Sequence, residues 1–309
     1  MKLIIDTASK VKIGTPTKFR NLAVFPLLAG NGTAADYLTL DEALSQKCAT
    51  ITEVSEGGSV PELKFVNSGG KRIFLLDGEE LVGAKQNRVL NLSILVPAGK
   101  TIVIPVSCVE AGRWRHRSRE FSSAPRAHYA EGRARKMAQV SESMRSSGRR
   151  TSNQGEVWRD ISDKFNKFGS SSPTSAMSDI YEQQSGRLEE YVGSFAPAAG
   201  QVGAVFVING RIVGLDLFDF PETFKKLLPK LLRSYGLDAL DRAGSASVEA
   251  QPLPSDVEVD KFLKEVMAAE AEEFPAIGQG QDLRLTGSAL TGAALAADDR
   301  VVHLSAFAT

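Results

Sequence analysis

Seven polar side chains crowd into a stretch whose surroundings are apolar. In LLDGEELVGAKQNRVLN, residues 75–91, these are Glu79, Glu80, Lys85, Gln86, Asn87, Arg88 and Asn91. Polar groups held on strand ends are costly to desolvate unless paired, so such a cluster is either a hydrogen-bonded network or a ligand site. A second polar set follows in PVSCVEAGRW, residues 105–114, where Cys108, Glu110, Arg113 and Trp114 end an apolar run. Carboxylates at Glu79, Glu80 and Glu110 suit general acid or base chemistry. Lys85, Arg88 and Arg113 suit recognition of phosphate or carboxylate, with Gln86, Asn87 and Asn91 adding amides. Trp114 would stack on a base or sugar. Cys108 is a nucleophile only if Arg113 or His116 makes it a thiolate, and a small buried core residue otherwise. No pair among His116, His128 and His303 has a metal-ligand spacing, and the spacing of the carboxylates demands no magnesium ion. Neither a metal nor a cofactor is assigned.

These residues need a sheet to hold them. ATITEV, ELKFV, RIFLL, RVLNLSILV and TIVIPVS are short β-rich runs separated by Ser68-Gly69-Gly70 and by the 97–100 turn. Short connections imply an antiparallel meander. Pairing of the last two runs as a hairpin through 97–100 places Arg88 to Asn91 beside Ser107 to Glu110, so both polar sets would share one end of one sheet. The amino terminus, MKLIIDTASKVKIG, reads as a first strand, followed by a strand broken near Pro26 and a loop through Gly30, Asn31 and Gly32. Thr39 with Glu42 forms a capping box.

Residues 123–146 read as helical, with Pro125 near the start. Further helices open at Asn153 and at Ser172-Pro173, joined by flexible linkers such as GSSSPTS. The sheet resumes in VGAVFVI and RIVGLDLF, whose Asn209-Gly210 suits a type I′ turn. Asp219 reads as the cap of a helix ending at Gly236, with Pro229 inside it. A loose linker over 243–255 leads to a helix at Ser255, and closing strands turn at Asp298-Asp299. The expectation is an α+β fold with an antiparallel β sandwich or half-barrel core, a helical insertion and covering C-terminal helices. Its regions are a β-rich core over 1–114, a basic helical insertion over 115–192, and 193–309 completing the core.

Net charge is zero, yet residues 113–150 carry eleven basic and three acidic groups. Such a block attracts phosphates or pairs with acids elsewhere in the chain. It lacks the interleaved aromatics of a nucleic-acid surface, so nucleic acid is the less favoured partner of 113–150. No apolar run spans a bilayer and no secretory core develops at the start, which places the protein in the cytoplasm without a membrane partner. Cys48 and Cys108 are then reduced thiols. A homo-oligomer is compatible with every reading.

DGEELVGAKQNRVLN, IPVSCVEAGRW, GAVFVINGRIVGLDLFD and LLPKLLRSYGLDALD together resemble the ARG and rhodanese-phosphatase-superfamily-associated protein domain across most of the chain. The resemblance implies linkage to ADP-ribosylglycohydrolase-like and phosphatase-like enzymes and defines no catalytic residue. It favours a nucleotide-derived or ADP-ribose-like ligand over other anions. Two readings stay open: a site that binds or hydrolyses such a ligand, and a non-catalytic interaction module whose polar segment only locks the sheet.

Overall fold

The computed structural model describes residues 1–29, 34–244 and 252–309. Gly30, Asn31 and Gly32, and residues 245–251 of the expected linker, lie outside these. The fold is α+β, and its chain contacts define two compact units.

The first unit comprises Met1–Ala35, Glu189–Ala276 and Gly280–Thr309. It is built on an antiparallel sheet whose middle runs in the order Leu22–Leu28, Gln201–Ile208, Arg211–Phe218, Arg300–Ala308, Leu290–Ala297. Asn209 and Gly210 take φ of 50° and 70°, as a type I′ turn requires. Asp298 and Asp299 turn the last hairpin in the same left-handed region. One side of the sheet buries Val205, Leu217 and Leu304 against Ile4, Val259 and Phe262 from helices Lys2–Ala8 and Asp256–Ala268. On the helix Pro221–Asp241, Tyr235 stacks on Phe206 at 3.8 Å between centroids. Its hydroxyl donates to Asp216 Oδ2 at 3.0 Å, and His303 Nε2 lies 3.2 Å from Asp216 Oδ1. Asp216 and His303 are thus explained as partners.

Three expectations change here. The amino terminus is a helix, because Ile4 and Ala8 bury at helical spacing, whereas a short apolar run alone does not separate helix from strand. Phe220, not Asp219, occupies the N-cap position, and Asp219 accepts from Arg300 at 2.9 Å. The helix passes Gly236 and runs to Asp241, since Leu237, Ala239 and Leu240 are buried beyond it.

The second unit comprises Asp36–Leu188 with Ile277–Gln279. Its six-stranded sheet runs Phe121–Ala127, Glu79–Gly83, Arg88–Leu90, Thr101–Cys108, Glu62–Asn67, Ala49–Glu53. The two end strands approach one another, so the sheet curls into a half-barrel. A separate three-stranded sheet holds Ile94–Val96, Arg72–Leu75 and Tyr37–Thr39, the last pair parallel. The run 88–96 therefore serves two sheets, and it divides at Asn91. The capping box of Thr39 and Glu42 forms as expected.

Residues 121–127 are a strand, and the helix starts only at Ala130. Pro125 has no N–H to give a ladder, but this is an edge strand with a register shift between Ser123 and Ala127, where a proline is tolerated. Just beyond, His128 is buried with its amide donating to Gly78 O at 2.7 Å. Burial, and then the cations Lys136 and Arg133, hold its imidazole well below 6.5. A base whose folded pKa is depressed adds stability above its unfolded value and loses it as pH falls. Urea midpoints should therefore drop from about pH 6.5 downward, and His128→Gln should flatten that slope. Identical slopes in the two proteins would remove His128 from the account.

Candidate functional site

The register brings the two polar sets together as the hairpin argument requires: Cys108 pairs with Arg88, Ser107 with Val89 and Val106 with Leu90. The pleat then separates them. Leu81 opposes Arg88, whereas Glu80 opposes Val89, so Glu80 leaves the sheet on the face opposite to Arg88 and Cys108. The expected single hollow is divided accordingly.

Glu80 is buried and accepts from Arg126 Nε at 2.5 Å. Burial raises its carboxyl above the ordinary range, and Arg126 offsets part of that rise. Glu79 accepts from the Leu76 amide at 3.2 Å and from the Ser123 hydroxyl at 3.4 Å. Asn91 donates to Arg150 O at 2.8 Å and accepts from the Ser107 hydroxyl at 2.6 Å. Each is spent on holding neighbouring segments.

The densest cluster surrounds Glu110. Arg113 donates to its two oxygens through Nε at 2.8 Å and Nη2 at 2.6 Å, a bidentate pair almost closed to solvent. The same guanidinium reaches Ala84 O at 2.6 Å, Arg115 O at 3.0 Å and Asn87 Oδ1 at 3.2 Å. Glu110 also accepts from the Asn87 amide at 3.0 Å and the Thr174 hydroxyl at 2.8 Å. Burial alone would raise the carboxyl, but the Arg113, Asn87 and Thr174 hydrogen bonds outweigh it and leave Glu110 below its usual range.

Behind this pair, Gln86 ties three groups. Its amide donates to Glu110 O at 2.9 Å, and its oxygen accepts from Arg88 Nη1 and from the Cys108 thiol, both at 3.1 Å. Burial pushes the Cys108 thiol up, and Arg88 beside it offsets only part of this. A protonated buried thiol is a poor nucleophile. Lys85 donates to Glu56 O at 2.6 Å and Gly57 O at 2.7 Å, while Trp114 spreads over it with 5.3 Å from Nζ to the ring centroid.

A cleft of about 460 Å³ opens over the Glu110–Arg113 pair. Its walls include Asn87, Arg115, His116, Arg117, Thr174 and Ser178. Of the residues expected to form the site, Glu110, Arg113 and Asn87 line it; Glu79, Glu80, Lys85, Gln86, Arg88, Asn91, Cys108 and Trp114 do not. Arg115, His116 and Arg117 belong to the basic segment, whose charge suggests phosphate attraction or pairing with acids elsewhere in the chain but does not by itself place it beside Glu110. Thr174 and Ser178 lie in or beside what composition marks as a linker. In fact Gly112 N–H donates to Thr174 O at 2.8 Å, and Met177 N–H to Val109 O at 2.8 Å. Gly112 was the available signal: a Cβ there would stand 2.9 Å from Thr174 Cα, so only glycine permits this approach. Much of the remaining basic charge is internally paired, with Arg126 on Glu80, Arg133 and Lys136 on Asp77, and Arg135 on Glu131 and Asp160.

The fold and the site define an α+β protein whose curled sheet carries a buried polar brace beneath a basic cleft. The chain belongs to the family described as ARG and Rhodanese-Phosphatase-superfamily-associated Protein domain, which matches residues 10–307. No curated protein and no solved structure matches it. No helix among the described residues is long and apolar enough to cross a membrane.

Proposed function

We propose that this protein binds a small anion, of the nucleotide-derived or ADP-ribose-like kind, in the cleft over Glu110 and Arg113. The observation that carries the reading is the lining itself: Arg115, His116 and Arg117 stand over a carboxylate already neutralised by Arg113. The volume lies in the range of small-molecule sites, and Ser178 and Asn87 supply neutral hydrogen-bonding groups. The family's description, with its association to a phosphatase superfamily, agrees with a phosphorylated ligand. Binding is favoured over hydrolysis because Glu110, the one expected acid or base in the cleft, has both oxygens engaged.

Calorimetric titration with ADP-ribose, ADP and inorganic phosphate tests this. At least one should give a saturable heat that weakens about tenfold or more in the double variant Arg115→Ala, Arg117→Ala, since each exposed guanidinium donates a charge-assisted hydrogen bond. Melting should hardly change, because both side chains are exposed. Absence of binding by all three, or unchanged affinity in the variant, sinks the proposal.

The second reading, a non-catalytic interaction module, has its own observation. Glu79, Glu80, Asn91 and Arg113 are all hydrogen-bonded within the unit, as a brace would be. On that reading the exposed 114–119 loop captures a protein partner, and the titrations stay silent.

A further inference from the structure

Two arginines in this unit present the same fork, and only one of them is filled. In Arg113, Nε and Nη2 point side by side and grip the two oxygens of Glu110. In Arg88 the same two nitrogens are buried and find no protein acceptor, although the side chain is 0 % exposed. Its remaining nitrogen donates to Gln86 Oε1 at 3.1 Å and Asn87 O at 3.4 Å, which fixes the guanidinium plane. A buried cation with two idle donors is costly, and the usual remedy is an occupant.

The neighbourhood says what occupant fits. Through successive strand pairings, Glu53, Leu63, Ile104, Cys108 and Arg88 share one face of the sheet. Glu53 Oε2 is also buried and without a partner, its Oε1 being taken by the Lys85 amide at 3.3 Å. Its charge acts on Arg88, yet the two form no ion pair among the described residues. Lys85, Arg88 and Glu53 together leave one positive charge. A fork that wants two acceptor oxygens and a carboxylate that wants a donor are both satisfied by an oxyanion that still carries a proton.

The cover is Trp114, 46 % exposed, with its ring centroid 5.3 Å from Lys85 Nζ and 5.7 Å from Arg88 Cζ. Its backbone is pinned on both sides, by Arg113 and by the Arg117 amide on Ala84 O at 2.9 Å. Only the indole is left to turn. Opposite it sits Gly58, at φ 76°, where a Cβ would lie 3.4 Å from Trp114 Cζ2 and 3.3 Å from Glu53 Oε2.

We infer that Arg88 anchors a second, covered site for a hydrogen phosphate or the protonated end of a phosphomonoester, held by the Nε and Nη2 fork, donating to Glu53 and closed by Trp114. This site lies outside the cleft of the proposed function and does not depend on it.

The test is titration of the ¹⁵N-labelled full chain with inorganic phosphate and, separately, acetate, following the Nε–H resonance of Arg88 and the indole N–H of Trp114. Phosphate should move both resonances along one saturable curve, and acetate should act at least about tenfold more weakly because it offers Glu53 no proton. Arg88→Lys, which lacks the fork, should lose about tenfold or more in phosphate affinity by the indole signal. Should that variant fail to fold, the wild-type titration decides alone: both resonances moving on one saturable curve supports the site, and either one staying still overturns it. The double variant Arg115→Ala, Arg117→Ala must retain the Arg88 response, which separates this site from the cleft. Resonances that do not move with phosphate, acetate binding as strongly as phosphate, or an Arg88 response lost with the cleft arginines would each overturn the inference.

Discussion

Replacing Arg113 by methionine should lower the unfolding free energy by about 3–5 kcal/mol, the usual result of stripping one partner from a buried ion pair. The size follows from what stays behind. Glu110 would keep the Asn87 amide and the Thr174 hydroxyl but lose both charge-assisted hydrogen bonds, while remaining almost closed to solvent. Gly83 O, Ala84 O and Asn87 Oδ1 would lose a donor at the same stroke. Methionine keeps most of the stem volume, so a cavity contributes little. The pH dependence carries a second signature. In the wild type the Glu110 pKa lies below its ordinary value, so its contribution is present above the unfolded value of about 4.3 and is lost as pH falls through the folded one. Without Arg113 much of that lowering is gone, so the variant should lose less of its stability than the wild type as pH falls. Denaturant unfolding of both proteins between pH 4 and 7 measures this directly. A loss below about 1 kcal/mol would mean that the pair is no more than a surface contact.

The same residues show where the sequence was legible. Local signals were: Asn209-Gly210 carries its turn geometry in its residue types, and Thr39 with Glu42 carries its cap. The pairing of Arg88 with Cys108 was also legible, because the 97–100 turn and the two flanking runs fix which residues face each other. Side-chain allegiance was not. Whether Glu80 shares a hollow with Arg88 depends on a one-residue alternation across a three-residue strand, and a slip of one reverses it. Long-range pairings left no local trace, such as Glu80 with Arg126, forty-six residues on. Pro125 was read as a helix start because an edge strand with an irregular register has no pattern of its own in the chain. The 170s looked loose because serine and glycine report solvent exposure, not the backbone weld at Gly112. Composition located the polar brace, and only coordinates divided it into spent groups and open ones.

The largest single effect should come from Asp77→Asn. Asp77 meets two fully buried cations, Arg133 at 3.5 Å and Lys136 at ion-pair distance, both on the helix Ala130–Ser147. Lys136 also donates to Leu90 O at 2.8 Å, so the carboxylate fastens that helix to the strand bearing Arg88. Gly78 completes the fit: at φ 80°, a Cβ would stand 2.9 Å from Arg133 Cγ. An asparagine preserves shape and removes the negative charge that meets both cations in this low-dielectric interior. The expected loss is about 5 kcal/mol or more, comparable to the entire stability of many domains, and soluble folded protein should not accumulate. His128 makes the case stronger, since its imidazole is already kept neutral by burial and by these cations, and cannot relieve the excess. Removing charge on both sides discriminates electrostatics from packing. Asp77→Asn combined with Lys136→Met should recover folding substantially, because the ammonium that loses Asp77 is gone while its stem volume stays. If the single variant instead unfolds within about 1 kcal/mol of the parent, water or another group must solvate these cations, and the helix is held to the sheet by its apolar face alone.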